Sequence, residues 1–169
     1  ALVLDKTGTL TVGKPSVTDY RTVDSSEKDA LTIAASLETG STHPIAEAIS
    51  KAHLETNAPL IAFDKVENIG GMGLIGYFDK KEYAVGNQAL MKSKGVNISN
   101  EIDGLADILL DSNTVVFVSE GEKLIGWIEM KDKLRNTTNL AISKAKDLGL
   151  QVIMLTGDRA EAASSISKE

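Results

Sequence analysis

The sequence predicts an α/β protein in which an α+β segment is inserted between two short strand–loop units. The first unit is an apolar run, Leu2–Leu4, that leads into a polar loop beginning at Asp5. The second is the stretch Gln151–Leu155, which leads into Thr156. Apolar runs are typical of buried parallel strands, and functional groups in open α/β sheets lie at the carboxyl ends of such strands. The two loops are therefore expected to share one face of a parallel sheet.

Between these units, short β-like runs separated by turn signals predict a mostly antiparallel sheet with helical connections. The predicted strands are Thr18–Val23, Ala62–Asn68, Gly73–Asp79, Glu82–Val85, Thr114–Ser119 and Lys123–Glu129. The predicted helices, including two that flank the second unit, are Lys28–Glu38, Ile45–Leu54, Gln88–Lys94, Glu101–Leu110, Asn136–Leu148 and Glu161–Lys168. Gly149 is expected to cap the helix before the last strand. Pro15 is expected to end the first segment, which divides the chain into residues 1–15 with 131–169 and residues 16–130.

The composition is that of an ordinary globular protein with an acidic balance. The chain has 169 residues, of which 42% are hydrophobic and 25% charged, and its formal net charge is −6. Because nucleic-acid binding relies on clustered lysine and arginine, no nucleic-acid partner is expected. The absence of cysteine excludes disulfides and thiolate metal sites. No apolar run approaches the roughly 20 residues that cross a bilayer, so this chain is expected to be soluble.

The loop after the first strand places an aspartate and a lysine in a turn of small and hydroxylated residues. It reads Asp5-Lys6-Thr7-Gly8-Thr9-Leu10-Thr11. A carboxylate at such a strand end can act as a nucleophile and form a covalent intermediate, beside a cation and the backbone amides that Gly8 leaves accessible. The alternative is an ordinary turn in which Asp5 caps a helix.

The second strand–loop unit ends in the sequence Thr156-Gly157-Asp158. A hydroxyl and backbone amides at this place could bind a phosphoryl group, because phosphoryl transfer depends on positioning and charge stabilisation more than on covalent chemistry. The alternative is a strand-to-helix turn in which Asp158 is the N-cap.

A histidine is predicted to stand at the start of the second helix. Pro44 suits the first helical turn, where its missing N–H costs little, so His43 is presented at the helix N-terminus beside Ser41. Glu38 is close enough in sequence to reach the same cleft. The alternative is a surface histidine next to a helix-starting proline. The second histidine, His53, is expected to be an ordinary surface residue.

Glycines cluster in Gly70–Gly76, where a strand is predicted to begin. Glycine permits close approach of a ligand to the backbone, but it also marks bulges and tight strand entries, and both interpretations remain open. A strand follows this run, so it lacks the strand–turn–helix context of a dinucleotide fingerprint. Further on, Met91 is expected to be a core residue.

Taken together, these stretches resemble the heavy-metal-transporting P-type ATPases, and most closely the copper exporters. Residues 5–11 match the phosphorylation motif DKTGTLT at every position. The other matches are Glu38, Ser41, His43 and Pro44 to E-x-x-S-x-H-P, Gly71 and Gly73 to G-x-G, and Gly86, Asn87 and Met91 to G-N-x-x-x-M. The resemblance implies an incomplete Rossmann-like, haloacid-dehalogenase-type phosphorylation lobe with an inserted α+β nucleotide-binding domain on a mostly antiparallel sheet.

The resemblance also implies the ligands and the roles of individual residues. The γ-phosphate of ATP would be transferred to Asp5, with Lys6 and Thr156 holding the phosphate and Asp158 shaping its loop. Mg²⁺ would be bound by Asp5 and the backbone carbonyl of Thr7. The implied catalytic residues are Asp5, Lys6, Thr7, Thr156, Gly157 and Asp158. The residues implied to bind ATP are Glu38, Ser41, His43, Gly71, Gly73, Gly86 and Asn87.

The resemblance implies that the transported ion is a heavy-metal ion. Cu⁺ is the favoured ion, and zinc, cadmium and cobalt ions are the alternatives. The transported ion would be bound by the membrane part of a longer protein, of which this chain is a cytoplasmic portion. The family's later phosphate- and Mg²⁺-binding elements, a lysine and a GDGxND segment, are not among residues 1–169, so this portion is not expected to be active alone. Two alternatives remain open. A capped phosphatase would need a carboxylic acid where Thr7 stands, and a non-catalytic module would bind ATP without phosphorylating anything.

Overall fold

The computed structural model describes residues 1–23, 28–102, 105–111 and 114–155. The predicted loop Thr156–Asp158 and helix Glu161–Lys168 lie outside these residues. The strands are β1 Leu2–Asp5, β2 Thr11–Thr22, β3 Lys65–Ile69, β4 Gly73–Phe78, β5 Lys81–Gly86, β6 Thr114–Glu120, β7 Lys123–Leu134 and β8 Val152–Leu155. The helices are α1 Ala30–Leu37, α2 Pro44–Leu54, α3 Gln88–Ser93, α4 Ile98–Glu101, α5 Leu105–Asp111 and α6 Thr138–Asp147.

Six of these strands form one antiparallel sheet in the order β2-β7-β6-β5-β4-β3. Side chains of a strand alternate between the two faces of its sheet, and both faces are covered here. Tyr83 and Val85 of β5 pack with α1 and α2, whereas Ala84 packs with Met91 of α3 on the opposite face. The alternation explains why the sheet was predictable from the sequence, and it confirms Met91 as a core residue.

The two end strands form a separate parallel pair, as predicted. β1 runs alongside β8 with Leu2 opposite Val152 and Asp5 opposite Leu155. The helix that precedes β8 ends at Asp147, and Gly149 follows it with a φ of 74°. This left-handed conformation is the one that glycine adopts readily after a helix, which confirms the predicted cap.

Pro15, the expected end of the first segment, lies inside a strand. The strand β2 continues through Pro15, which lies opposite Asp132 of β7, next to a register irregularity. β2 is an edge strand with β7 on one side. A proline is tolerated there because its missing N–H can face the side of the strand that pairs with no other strand of this sheet. The domain boundaries expected near residues 15 and 131 fall inside these two paired strands, and the division stays a prediction.

Three local predictions also differ from the structure. The helix expected over Glu101–Leu110 is replaced by α4 and α5, and the strand expected from Ala62 begins at Lys65. His53 is not a surface residue, since only 5% of it is exposed. It falls on the same stripe of α2 as the buried Ala46 and Ile49, at the three- and four-residue spacing that defines one helix face. Within the described part of the chain, no helix is long and apolar enough to cross a membrane.

Candidate functional site

A cavity of about 400 Å³ opens beside the loop between α1 and α2, against the ends of β4, β5 and β6. Its volume is within the range of about 300–1,000 Å³ that is usual for small-molecule sites. All seven residues that the sequence analysis assigned to a nucleotide line it, namely Glu38, Ser41, His43, Gly71, Gly73, Gly86 and Asn87. The lining also includes residues that the sequence analysis missed, among them Ile45, Asn68, Leu74 and Thr114. Ile45 belongs to the start of α2, whereas the positions of Asn68, Leu74 and Thr114 depend on the sheet order, which sequence spacing does not reveal.

Glu38 lines the cavity as the C-cap residue that directly follows α1. Its backbone N–H donates to the carbonyl of Ala34 at 3.0 Å, and its own carbonyl accepts from the N–H of Ser41 at 2.9 Å. Burial raises the pKa of the Glu38 carboxyl above its ordinary value, an effect that a hydrogen bond from Ser41 and the nearby His43 partly oppose. Glu38 therefore presents a half-buried acceptor to the cavity.

His43 is the N-cap of α2, and Pro44 occupies the first helical position as predicted. The imidazole Nδ1 accepts the backbone N–H of Ile45 at 3.2 Å, and the backbone carbonyl of His43 accepts from Glu47 at 3.0 Å. The His43 N–H in turn donates to the Ser41 hydroxyl at 3.3 Å. These bonds hold an otherwise exposed histidine in one place at the rim of the cavity.

Two glycine-containing segments form the opposite wall and interlock through their backbones. A Cβ on Gly73 would lie 2.1 Å from the carbonyl oxygen of Val85, and one on Gly86 would lie 2.2 Å from that of Met72. Asn87 joins the segments, since its side-chain amide donates to the carbonyl of Gly71 at 2.9 Å. The glycines are therefore required by close packing of β4 against β5, and at their own positions they leave the backbone of this wall uncovered by a side chain.

The raised pKa of Glu38 predicts a measurable effect of pH on stability. Between the ordinary value of 4.5 and its raised value in the fold, the folded state binds more protons than the unfolded state, so stability falls as pH rises through that interval. Replacing Glu38 with glutamine removes this dependence. The free energy of unfolding can be measured by urea denaturation at a series of pH values from about 4 to about 8. As pH rises, Glu38→Gln should become more stable relative to the wild type. A constant difference would contradict the assignment.

The second group of predicted site residues surrounds Asp5. Asp5 ends β1 with its side chain exposed, and the chain then forms a π-helical turn, Lys6–Leu10. The guanidinium of Arg135 donates to the carbonyl of Gly8 at 2.8 Å, and the Thr138 hydroxyl donates to the carbonyl of Leu10 at 2.6 Å. The end of β7 and the start of α6 thus fasten the turn that follows Asp5.

A single carboxylate holds the start of β2 next to this turn. Asp132 accepts the Thr11 hydroxyl at 2.6 Å, the N–H of Gly13 at 3.1 Å and the N–H of Lys14 at 3.2 Å. The Thr11 oxygen also accepts the N–H of Gly8 at 3.1 Å. The role of Asp132 is not visible in the sequence, because its partners depend on the register between β2 and β7.

The Asp5 carboxylate is an oxygen donor of the kind that Mg²⁺ prefers. In the portion of the chain that is described, Asp5 contributes an exposed carboxylate, and no group of three or more histidine, aspartate or glutamate side chains could hold a metal ion. Thr156, Gly157 and Asp158 lie outside the described residues. Only Leu155, which precedes them, is seen opposite Asp5.

A family model described as haloacid dehalogenase-like hydrolase matches residues 1–169. The chain is 39% identical to a probable copper-exporting P-type ATPase of Archaeoglobus fulgidus, over 100% of this chain and 21% of that protein. It is 37% identical to a copper-transporting P-type ATPase of Rhizobium leguminosarum, over 99% of this chain and 20% of that protein. The chain therefore spans about a fifth of the length of these relatives.

Solved structures resemble the chain as well. A zinc-transporting PIB-type ATPase superposes with a TM-score of 0.75 at 30% identity, over 99% of this chain and 27% of that one. The N-domain of HMA6, a copper-transporting P-type ATPase, superposes with a TM-score of 0.56 at 25% identity, over 69% of this chain and 98% of that one. These matches confirm the predicted fold class and the resemblance to heavy-metal P-type ATPases.

Proposed function

The chain belongs to the haloacid dehalogenase-like hydrolases, and on that premise we propose that it binds ATP as part of a heavy-metal P-type ATPase. The complete protein would transfer the γ-phosphate of ATP to Asp5 and use the phosphorylated state to drive export of a cation. The relatives named as copper exporters favour Cu⁺ as the cargo. The longer protein would lie in a membrane, with this portion on the cytoplasmic side.

The observation that carries ATP binding is the convergence of all seven predicted residues on one cavity. Adenine offers an amino donor beside ring acceptors. The Glu38 carboxylate can accept from the amino group, and the His43 imidazole can donate to a ring nitrogen or stack on the base. Apolar lining residues such as Ile45 and Leu74 would cover the faces of the base. The glycine wall would let the rest of the nucleotide approach the backbone closely.

The phosphoryl step is proposed for the loop at the end of β1. An oxygen of the Asp5 carboxylate would attack the γ-phosphorus while the bond to the bridging oxygen breaks and ADP leaves with that electron pair. Lys6 and Thr156 would bind the phosphoryl oxygens, and Gly157 and Asp158 would shape their loop. Mg²⁺ held by Asp5 and the Thr7 carbonyl would neutralise developing charge. The support is the pairing of Asp5 with Leu155, the residue before Thr156.

Thr7 separates this proposal from a phosphatase. A threonine cannot act as a carboxylic acid does in general acid–base catalysis, so a phosphoaspartate at Asp5 would be hydrolysed slowly unless another group assists. That persistence suits a transport cycle in which the phosphorylated state must last through a conformational step. Rapid hydrolysis of a simple phosphate ester by this chain would instead support the phosphatase.

We expect ATP to shift the backbone amide signals of the cavity segments in an NMR titration, and His43→Ala to weaken ATP binding by about 1–3 kcal/mol through the lost polar contact. Since His43 also caps α2, His43→Asn is the matched variant, because asparagine is a good N-cap but has no imidazole. It should bind ATP as weakly as His43→Ala. Shifts confined to the Asp5 loop, or full binding by His43→Asn, would overturn the assignment.

A further inference from the structure

Met72 differs from the other methionines of the chain in its exposure to solvent. It is 38% exposed, whereas Met91 and Met130 are fully buried in the core and Met154 is half-buried in β8. Met72 also lines the cavity, directly before the first residue of β4, and it belongs to neither hydrophobic cluster. The lining of the cavity therefore includes a thioether residue that a small reagent can reach from water.

The neighbours of Met72 in the chain leave its side chain uncovered. Residues 70, 71 and 73 are all glycines, which have no side chains to place over the sulfur. An added Cβ at Gly70 or at Gly71 would meet nothing within 4 Å, so the turn before Met72 borders open space. A reagent in solution can therefore approach Met72 from the side of this turn.

The backbone of Met72 is held by hydrogen bonds on both sides of the residue. Its N–H donates to the carbonyl of Ile69 at 2.9 Å, and its carbonyl accepts the N–H of Asn87 at 2.9 Å. Gly71, the third residue of the turn, has a φ of 72°, which is the conformation that a type II turn requires at that position. Because moving Met72 away would break these bonds, a chemical change of its side chain stays at the cavity.

We propose that Met72 is a site of reversible oxidation by peroxides, and that its oxidation lowers the affinity of the cavity for nucleotide. A lone pair of the thioether sulfur attacks one oxygen of hydrogen peroxide, so that an S–O bond forms while the O–O bond breaks. The hydroxide that leaves takes the proton from the oxygen on sulfur and becomes water. Sulfur is oxidised to the sulfoxide and the peroxide is reduced. The inference rests on the proposed binding of ATP in this cavity and adds a means of regulating it.

A sulfoxide changes the character of this part of the cavity wall. Oxidation converts a flexible apolar side chain into a polar one, among apolar lining residues such as Ile69, Leu74 and Val85. A polar sulfoxide is more stable in water than against the face of a base, so the oxidised side chain would withdraw from the bound nucleotide. We expect ATP to bind about fourfold more weakly, which corresponds to roughly one methylene group that the ligand no longer buries.

The test is a titration of the chain with hydrogen peroxide, followed by peptide mass spectrometry and by dissociation constants for ATP. Met72 should be oxidised before Met154, while Met91 and Met130 stay reduced in the folded chain. At the dose that oxidises Met72 alone, the dissociation constant should rise about fourfold without a change in the unfolding midpoint. Methionine sulfoxide reductases of both stereospecificities, supplied with a dithiol as reductant, should restore the original value.

Two leucine variants provide matched controls, because leucine replaces methionine with little change in volume and has no sulfur to oxidise. The affinity of Met72→Leu for ATP, whatever its value before treatment, should not change with peroxide. Met154→Leu should lose affinity on treatment as the wild type does.

The outcomes distinguish the inference from the function on which it rests. Oxidation of Met154 before Met72, an unchanged dissociation constant after Met72 is oxidised, or a peroxide effect that persists in Met72→Leu would overturn the regulatory role while leaving ATP binding in place. Failure of the untreated chain to bind ATP would overturn the proposed function, and with it the effect on affinity, whereas the order in which the methionines are oxidised would be unaffected.

Discussion

Replacing Gly73 with alanine is expected to destabilise the fold by about 3–5 kcal/mol, the range of the most disruptive single substitutions. Its φ is +147°, and an added Cβ would lie 2.1 Å from the carbonyl oxygen of Val85 and 2.6 Å from the Cα of Gly86. Both obstacles are backbone atoms of the paired strand, so neither can turn away as a side chain would. Urea unfolding followed by circular dichroism measures the loss, and the same variant should lose ATP binding because β4 and β5 form one wall of the cavity.

Two neighbouring glycines provide the controls for this prediction. Gly71 has a φ of +72° but nothing within 4 Å of an added Cβ, and Gly70 has open space and no left-handed backbone. Gly71→Ala should therefore cost only the left-handed strain of about 1–2 kcal/mol, and Gly70→Ala should stay within about 0.5 kcal/mol of the wild type. If Gly73→Ala costs no more than Gly71→Ala, the close approach of β4 and β5 is not a feature of the protein.

The parts of the fold that the sequence predicted well are those governed by local patterns. The alternation of Tyr83, Ala84 and Val85 between the two faces of the sheet is visible as β-like residues bounded by turns. The early start of β2 was not predicted because proline is rare inside strands. Pro15 is tolerated within β2 because β2 lies at the edge of the sheet. His53 was misread because a polar residue on a buried helix stripe contradicts the local pattern.

The candidate site divides in the same way. Glu38 and His43 are close in sequence, and the proline after His43 predicted a helix start that the structure confirms. No spacing rule predicts that this loop faces Gly73 across a cavity, and that expectation came from the joint match of several motifs to one family. The contacts of Asp132 were invisible for a different reason. They require the antiparallel register of β2 and β7, which is set by tertiary pairing rather than by residues near Asp132 in the chain.

The second large effect is expected at Asp132, whose replacement by alanine should destabilise the chain by about 2–4 kcal/mol. The half-buried carboxylate accepts hydrogen bonds from the Thr11 hydroxyl and from the N–H groups of Gly13 and Lys14. A hydrogen bond to a charged group contributes about 1.5–3 kcal/mol to stability. Thr11 is fully buried, so its hydroxyl loses this acceptor without gaining access to water. Asp147, an exposed carboxylate of α6, is the control, and Asp147→Ala should change stability by less than about 0.5 kcal/mol.

A double-mutant cycle with Thr11→Val decides whether the loss arises from the network near the Asp5 turn. Valine keeps the shape of threonine but removes the hydroxyl that donates to Asp132 at 2.6 Å and accepts from Gly8 at 3.1 Å. Groups in one hydrogen-bond network couple by about 0.5–3 kcal/mol, whereas independent sites add. We therefore expect Asp132→Ala to cost less in the Thr11→Val background than alone. Additive effects would mean that Asp132 stabilises β2 without holding the turn that follows Asp5, and the amide exchange rates of Gly8 would then be unchanged in Asp132→Ala.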